Sequence, residues 1–156
     1  MAKKLTPSKI NTFLLFKLPS AYFSGVRLKE ISENEATVTV KHRWINQNPF
    51  KSLYWATQGM ASELATGVLV IQGIENSGEK ISMLVQSQNG HFTKKATGRI
   101  NFICKDGHKV KKAIDEAIAT GEGQSLTLTA EGFNSEGESV SKFAYEWALK
   151  VRKKKV

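Results

Sequence analysis

One stretch of the chain constrains its fold more than any other. Residues 52–71 read SLYWATQGMASELATGVLVI, and Glu63 is the only charged residue among them. A run this apolar and free of proline predicts a helix over residues 52–71 that is mostly buried. A helix that is apolar on all sides must be covered by the rest of its domain.

Glu63 has no partner of opposite charge nearby in the sequence. The positions three and four residues away hold Gly59, Met60, Thr66 and Gly67. Burying a carboxylate is costly unless it is hydrogen-bonded or has a chemical task. Burial also raises its pKa, which makes Glu63 a candidate general base or nucleophile near neutral pH. The alternative is a structural ion pair with a Lys or Arg from elsewhere in the fold.

Strand and helix patterns flank this stretch on both sides. Clean alternation of apolar and polar residues marks the strands, and Asn, Gly and Pro mark the turns. We expect a loop over residues 73–78 and a bulge at Gly90. We predict helices over residues 8–16, 52–71 and 109–120, and strands over residues 22–31, 36–41, 81–92, 97–105, 126–130 and 143–149.

This order of elements predicts the architecture. Antiparallel strands wrapped around one hydrophobic helix explain why that helix is apolar on every face. We therefore expect an α+β fold, with residues 1–150 forming a single domain. Five of the last seven residues are basic, and we expect residues 151–156 to form a solvated tail.

Composition excludes several classes of protein. The only cysteine, Cys104, cannot form an internal disulfide, and its place in an alternating strand predicts a buried packing residue. The three histidines lie in separate elements, so we expect no metal site. Polar residues interrupt the central stretch too often for a membrane span, and the apolar run at residues 13–16 is too short for a signal peptide. Together these features predict a cytoplasmic protein.

The net charge of +9 favours a polyanionic ligand, such as a phosphorylated cofactor. Nonspecific contact with nucleic acid is a weaker alternative. The aromatic residues occupy mainly alternating core positions and are not interleaved with lysines on one strand face, as a base-stacking platform would require. We expect no specific nucleic-acid partner.

A set of spaced residues at the start of the central stretch resembles a motif of the hotdog thioesterase superfamily, above all its phenylacetate-pathway type of acyl-CoA thioesterase and uncharacterised relatives. The motif there is Asn, then His-Gly-Gly six residues later, then an acidic residue nine after the His. Asn48 and Glu63 keep this spacing around position 54, where Tyr54, Trp55 and Ala56 replace His-Gly-Gly. A second shared feature is an aromatic strand followed by a basic segment and a glycine, which residues 91–99 reproduce as HFTKKATGR.

The resemblance implies a hotdog fold, in which an antiparallel sheet wraps around one long helix, and it implies roles for individual residues. Glu63 would act as base or nucleophile on a thioester carbonyl, and the site would lie between two subunits. No separate cofactor is implied, since coenzyme A enters as part of the substrate. The further roles are positioning of water or thioester by Asn48 and Tyr54, polarisation of the carbonyl by the amides at Trp55 and Ala56, and binding of the coenzyme A phosphates by Lys94, Lys95, Gly98 and Arg99.

Two functions follow as expectations. The first is hydrolysis of an acyl-CoA-like thioester by a homodimer or a dimer of dimers. The second is noncatalytic binding of acyl-CoA or another amphipathic acid, because Trp55 and Ala56 carry side chains where the family has two glycines. Core packing is the alternative to a pocket role for Trp55, and a solvated strand end is the alternative for Lys94, Lys95 and Arg99.

Overall fold

The computed structural model describes residues 4–152, which form four helices, six strands and a short 3-10 turn at Trp44–Asn46. The helices are α1 (Pro7–Lys17), α2 (Pro19–Phe23), α3 (Trp55–Ser77) and α4 (Gly107–Thr120). The strands are β1 (Arg27–Ile31), β2 (Ala36–Lys41), β3 (Ile81–Phe92), β4 (Arg99–Cys104), β5 (Gln124–Phe133) and β6 (Ser139–Val151).

The six strands form one antiparallel sheet in the order β1-β2-β4-β5-β6-β3. One face of the sheet packs against α3, and alternate side chains of β4, namely Ile100, Phe102 and Cys104, are fully buried there. A single long helix held against a curled antiparallel sheet confirms the predicted α+β hotdog fold. It also confirms that Cys104 is a buried packing residue.

Three hydrogen bonds between side chains fix α3 over β6. They start from helix positions four residues apart, which share one face of an α-helix. Because the buried polar groups on both sides are satisfied, they set the register of helix on sheet without a penalty for burial. The pairs are Gln58 with Ser141 (2.7 Å), Ser62 with Tyr145 (2.7 Å) and Thr66 with Trp147 (3.0 Å).

The central helix differs from its prediction at both ends. It begins at Trp55 and not at residue 52, and it continues to Ser77, where Gly78 ends it with a φ of 70°. The predicted loop over residues 73–78 was therefore wrong. Gly73 does not break the helix because it lies against α4: a Cβ there would be 2.8 Å from the side chains of both Val110 and Ile114.

The segment before β1 was also predicted wrongly. Residues 22–31 were expected to form one strand, but Pro19 starts the short helix α2 and β1 begins only at Arg27. Gly25 makes the turn between them with a φ of 90°. Proline is favoured in the first turn of a helix, so Pro19 both ends α1 and begins α2.

Strand β3 has its bulge at a different place from the one expected. The register shifts between Val85 and Ser87, whereas Gly90 pairs regularly with Phe143 of β6. A Cβ at Gly90 would lie 2.7 Å from the Phe143 ring, so the missing side chain makes room for that ring. The glycine reflects close packing and not a bulge.

The carboxyl end of the domain extends slightly beyond its expected limit. Val151 is the last residue of β6, and the Arg152 amide donates to the Lys80 carbonyl at 2.8 Å. The remainder of the predicted basic tail, residues 153–156, lies outside the described residues. No helix within residues 4–152 is long and apolar enough to span a membrane.

Candidate active site

The amino end of α3 has free amide donors. Tyr54 precedes the helix, and no side chain caps it. The amides of Thr57 and Gln58 both reach the Tyr54 carbonyl, but those of Trp55 and Ala56 have no hydrogen-bond partner among residues 4–152. Unpaired amides and the positive end of the helix dipole favour an oxygen that carries negative charge.

The loop before the helix is held by Asn48. Its side-chain oxygen accepts from the amides of Phe50 (3.0 Å) and Ser52 (3.2 Å), and its Nδ2 lies 2.9 Å from the Ser52 hydroxyl oxygen. Leu53 joins this loop to the connection between β3 and β4, because its amide donates to the Ala96 carbonyl at 2.8 Å. The Asn48 amide is therefore engaged in shaping the loop that leads to the helix start.

Five of the predicted site residues come together in one open pocket of about 540 Å³ beside the helix start. Trp55 is 53% exposed and Tyr54 is 45% exposed. The alternative interpretation, in which the Trp55 side chain packs in the core, is therefore wrong. Apolar walls and a small number of polar groups are typical of ligand sites. The five residues are Asn48, Tyr54, Trp55, Lys94 and Lys95.

The two lysines of this pocket are not equivalent. Lys94 forms an ion pair with Glu138, and the hydrogen bond from that carboxylate raises the pKa of Lys94. Lys95 lies 3.5 Å from the Phe50 carbonyl and has no acidic partner among the described residues. Of the two lysines, Lys95 thus carries the less neutralised charge.

Gly98 and Arg99 lie apart from the pocket. Gly98 adopts a φ of 69° in the turn before β4, and its carbonyl accepts from the His42 amide. Arg99 donates to the Thr39 hydroxyl at 3.1 Å. Neither residue lines the pocket in one copy of the chain, and Gly98 has a clear role in the backbone turn.

Glu63 lies elsewhere, on the wall of a second cavity between α3 and the two amino-terminal helices. This cavity has a volume of about 290 Å³. Burial raises the pKa of Glu63. No Lys, Arg or His of residues 4–152 lies within 4.0 Å of the Glu63 carboxylate, so the structural ion pair is absent from this part of the chain.

Gly67 and Tyr145 lie near the Glu63 carboxylate. Gly67 lies one helical turn further on, and its ideal Cβ position is 3.3 Å from the Trp147 ring and 3.7 Å from Glu63 Oε1, so the missing side chain mainly makes room for the ring. Tyr145 of β6 packs against the neighbouring face of α3. Burial raises the pKa of Tyr145 to about 12, and the negative charge of Glu63 adds to this effect. Tyr145 therefore stays a neutral hydroxyl, which donates to the Gly59 carbonyl at 2.9 Å.

The carboxylate and the free amides cannot meet within one chain. Glu63 follows Trp55 by eight positions in the same helix. At 1.5 Å per residue, the two lie roughly 12 Å apart along the helix axis. A thioester carbonyl needs both its donors and its nucleophile at about 3 Å. Within one copy of the chain, Glu63 and the free amides are therefore too far apart to act on the same carbonyl group.

The residues described give no sign of a metal centre. No group of three His, Cys, Asp or Glu side chains within residues 4–152 is placed to hold an ion.

Comparison with known proteins identifies the family of the chain. The model of DUF4442, described as a domain of unknown function, matches residues 8–149. This chain belongs to the DUF4442 family. No curated protein sequence matches it significantly. The family match runs from α1 to β6 and so includes both Glu63 and the start of α3.

Solved structures share the fold of this DUF4442 member at low sequence identity. PA5026 of Pseudomonas aeruginosa, of unknown function and a probable thioesterase, matches with a TM-score of 0.79 and 19% identity, over 94% of this chain and 97% of that one. OLEI01261 of Chlorobaculum tepidum, of unknown function, matches with a TM-score of 0.80 and 19% identity, over 95% and 98%. The thioesterase HI1161 of Haemophilus influenzae matches with a TM-score of 0.72 and 12% identity, over 96% and 94%. These likenesses confirm the hotdog fold.

Sequence reasoning missed the cavity beside Glu63. Its walls come from α1, α2 and α3, and the sequence predicted no helix over Pro19–Phe23 but a strand that begins at residue 22. One signal was available: α1 has apolar residues on both faces, because Phe13 and Phe16 are exposed while Ile10 and Leu14 are buried. When a short helix has apolar side chains on both faces, the main core covers only one of them, and the other indicates a further apolar surface or cavity.

Proposed function

We propose that this protein is an acyl-CoA thioesterase whose active site is shared between two copies of the chain. Glu63 of one copy acts on the thioester carbonyl, and the amides of Trp55 and Ala56 of the other copy bind the carbonyl oxygen. The observation that carries the proposal is the Glu63 carboxylate, which is partly buried and has no cationic partner among residues 4–152. Solved thioesterases with the same fold add support.

The raised pKa of Glu63 suits this chemistry. A carboxylate with a raised pKa is a stronger base and therefore a better proton acceptor. The cause is burial, with no cation to oppose it. A structural carboxylate would instead be expected to have a partner that holds its pKa down.

Two routes are open for Glu63. As a nucleophile, its carboxylate oxygen attacks the carbonyl carbon, the C–S bond breaks, coenzyme A thiolate leaves, and water then hydrolyses the acyl–Glu63 anhydride. As a general base, it takes a proton from a water molecule whose oxygen attacks the same carbon; the C–S bond then breaks, and coenzyme A leaves as the thiol with the proton that Glu63 returns. In both routes, negative charge builds on the carbonyl oxygen, where two helix amides stabilise it.

The pocket at the helix start suits the coenzyme A portion of the substrate. Lys95 and Lys94 lie on its wall and can face the phosphates, although Lys94 must first break its ion pair with Glu138. Tyr54 and Trp55 provide aromatic surface beside them. Asn48 acts through the loop that it holds and is thus a positioning residue in this proposal.

A specific observation favours a second candidate, noncatalytic binding of acyl-CoA or another amphipathic acid. The exposed Trp55 side chain stands at the helix start, where a thioester would have to approach the backbone closely. If it blocks that approach, the pocket can still hold the ligand. Binding without turnover would then be the outcome.

One pair of variants tests the catalytic proposal through a single N–H group. Trp55 is the first residue of α3, where proline is tolerated, and the Tyr54 backbone (φ −63°, ψ 138°) suits a residue before proline. Trp55→Pro therefore removes one amide donor, and Trp55→Ala removes the same side chain but keeps the amide. We expect the proline variant to lose on the order of 10²-fold in kcat for acyl-CoA hydrolysis, as oxyanion donors do, and the alanine variant to lose far less.

Glu63→Gln completes the test. Turnover should fall by at least about 10²-fold, as is typical when an acid–base group is lost. Hydrolysis is followed as release of the coenzyme A thiol over a range of acyl chains, beside direct binding measurements. Equal activity in Glu63→Gln and wild type would contradict the proposed mechanism, and binding without hydrolysis in the wild type would favour the second candidate.

A further inference from the structure

We infer that the cavity under α1 and α2 holds the acyl chain of the substrate and sets the chain length that the enzyme prefers. This inference rests on the proposed thioesterase function and adds to it a substrate class, straight acyl chains of medium length. Its basis is the position, the lining and the size of the cavity.

The position links the cavity to the reacting carboxylate. Glu63 is on the cavity wall, with Met60 before it and Leu64 after it on the same side of α3. A carbonyl carbon placed at the Glu63 carboxylate has the cavity directly beside it. An acyl chain extending from that carbon can enter without crossing the sheet.

The lining is apolar except for Glu63 on its wall and for Lys17 and Ser20 at its outer side. Leu14 of α1, Ala21 of α2 and Leu64 of α3 form buried walls, while Met60 is half-buried. Exposed Lys17 and Ser20 lie at the outer side. Methionine is a flexible side chain that adapts to apolar ligands of different shape. A lining of this kind favours a hydrocarbon chain over a sugar, a peptide or a second charged group.

The size gives a length. The cavity volume is about 290 Å³. A water molecule occupies roughly 30 Å³ in the liquid, and a methylene group is of similar size, so about ten carbons fill the space. Each methylene buried should raise kcat/KM about fourfold until the cavity is full. Beyond that length the gain should stop.

Helices α1 and α3 bound another cavity, which offers a matched control. A second apolar cavity of about 360 Å³ lies between the first turns of α1 and the far end of α3, lined by Leu5, Ile10, Phe13 and Ile71 among others. It shares α1 and α3 with the cavity beside Glu63, but Glu63 does not line it. Filling it should disturb the contact of α1 with α3 in the same way without touching the substrate.

The experiment compares Met60→Trp, which fills the cavity beside Glu63, with Ile71→Trp, which fills the other one. Wild-type kcat/KM should rise from butanoyl-CoA to about decanoyl-CoA and then level off. Met60→Trp should lose at least tenfold on decanoyl-CoA and stay within twofold on butanoyl-CoA. Met60→Ala should move the plateau to longer chains, and Ile71→Trp should leave the whole profile unchanged. A uniform loss at all chain lengths, or no loss, in Met60→Trp would overturn the inference.

A binding measurement separates this inference from the proposed function. The probe is S-decyl-coenzyme A, a thioether that cannot be hydrolysed, with S-butyl-coenzyme A as the short reference, both measured by calorimetry. If wild type hydrolyses no acyl-CoA, the thioesterase proposal fails. The chain subsite still stands if Met60→Trp binds the decyl probe at least tenfold more weakly and the butyl probe equally. Equal affinity of Met60→Trp and wild type for the decyl probe overturns the subsite, whatever the activity.

Discussion

Glu63 illustrates how much a single residue can reveal. Its lack of a charged neighbour was visible in the sequence, and within residues 4–152 no side chain supplies one in space. What the sequence did not show is the space around it. Gly67 and the Trp147 ring lie close together on one side of the carboxylate, and α1 and α2 enclose a cavity on the other. Both features depend on packing between distant segments, which no local pattern encodes.

The stability of Glu63→Gln should depend on pH in a defined direction. Burial raises the pKa of Glu63, so the folded protein binds this proton more tightly than the unfolded chain does. The protonated group therefore favours folding below the unfolded pKa of about 4.3, and that contribution is lost as pH rises through the folded pKa. Glutamine does not titrate.

We therefore expect Glu63→Gln and wild type to melt at nearly the same temperature at pH 4, and the variant to melt higher at pH 8. Thermal melts over pH 4–8 measure the difference. A variant that melts well below wild type at pH 8 would show that the carboxylate has a stabilising cationic partner in the assembled protein, where a broken buried pair costs about 3–5 kcal/mol.

The lysines of the helix-start pocket should bind phosphate through charge. Replacing Lys94 and Lys95 together with Ala should weaken coenzyme A binding and reduce its dependence on salt, because exposed charges are screened. Unfolding free energy should change by less than about 0.5 kcal/mol. The control is the same double change at Lys111 and Lys112 of α4, which alters net charge equally. If both double variants bind coenzyme A with equal affinity, Lys94 and Lys95 are only part of a solvated strand end.

At the scale of elements, the sequence predicted the order of strands and long helices because the periodicities are strong. Val38 and Val40 alternate with Thr37 and Thr39 and are fully buried in β2, where Thr37 is buried as well. The ends of elements were predicted less well. Gly73 was interpreted as a helix breaker, since a sequence alone does not tell a glycine that terminates from one that lets two helices approach.

Gly107 should show such close approach most clearly. It is the first residue of α4, and a Cβ there would lie 2.4 Å from the Glu33 carbonyl oxygen and 2.5 Å from the Asn34 Cα, both backbone atoms that cannot rotate away. Gly107→Ala should therefore destabilise the protein by about 1–3 kcal/mol, as overpacking does. A Cβ at Gly59 in α3 would point into open space, so Gly59→Ala should stabilise the protein by roughly 0.5–1 kcal/mol. Urea melts that show equal effects would contradict this packing.

At the scale of the whole molecule, the two edges of the sheet differ. Edge strand β1 is five residues long and carries Arg27, Lys29 and Glu30, which protect an open edge. Edge strand β3 is twelve residues long and has no Lys, Arg, Asp, Glu or Pro. A long uncharged edge with unpaired backbone groups favours pairing with another strand. We propose that β3 joins two copies of the chain into a homodimer.

A change on that edge should weaken the dimer. Leu84 in β3 is 65% exposed, and Leu84→Lys places a positive charge on this edge strand in both copies. We expect light scattering at micromolar concentration to give a dimer for wild type and a shift towards monomer for this variant. Ile118→Lys, at a 41% exposed position on α4, is the control and should stay dimeric. A wild-type monomer would defeat both the dimer and the shared site.

Mixed dimers test the shared site most directly. Trp55→Pro and Glu63→Gln each remove a different half of the site, so each homodimer should be nearly inactive. When the two variants are unfolded together, refolded and allowed to pair at random, half of the dimers are mixed, and each mixed dimer has one intact site. Acyl-CoA hydrolysis should then recover to about a quarter of the wild-type rate, as expected for a two-fold dimer. If the mixture stays as inactive as its two parents, Glu63 and the helix amides do not act together across a subunit interface.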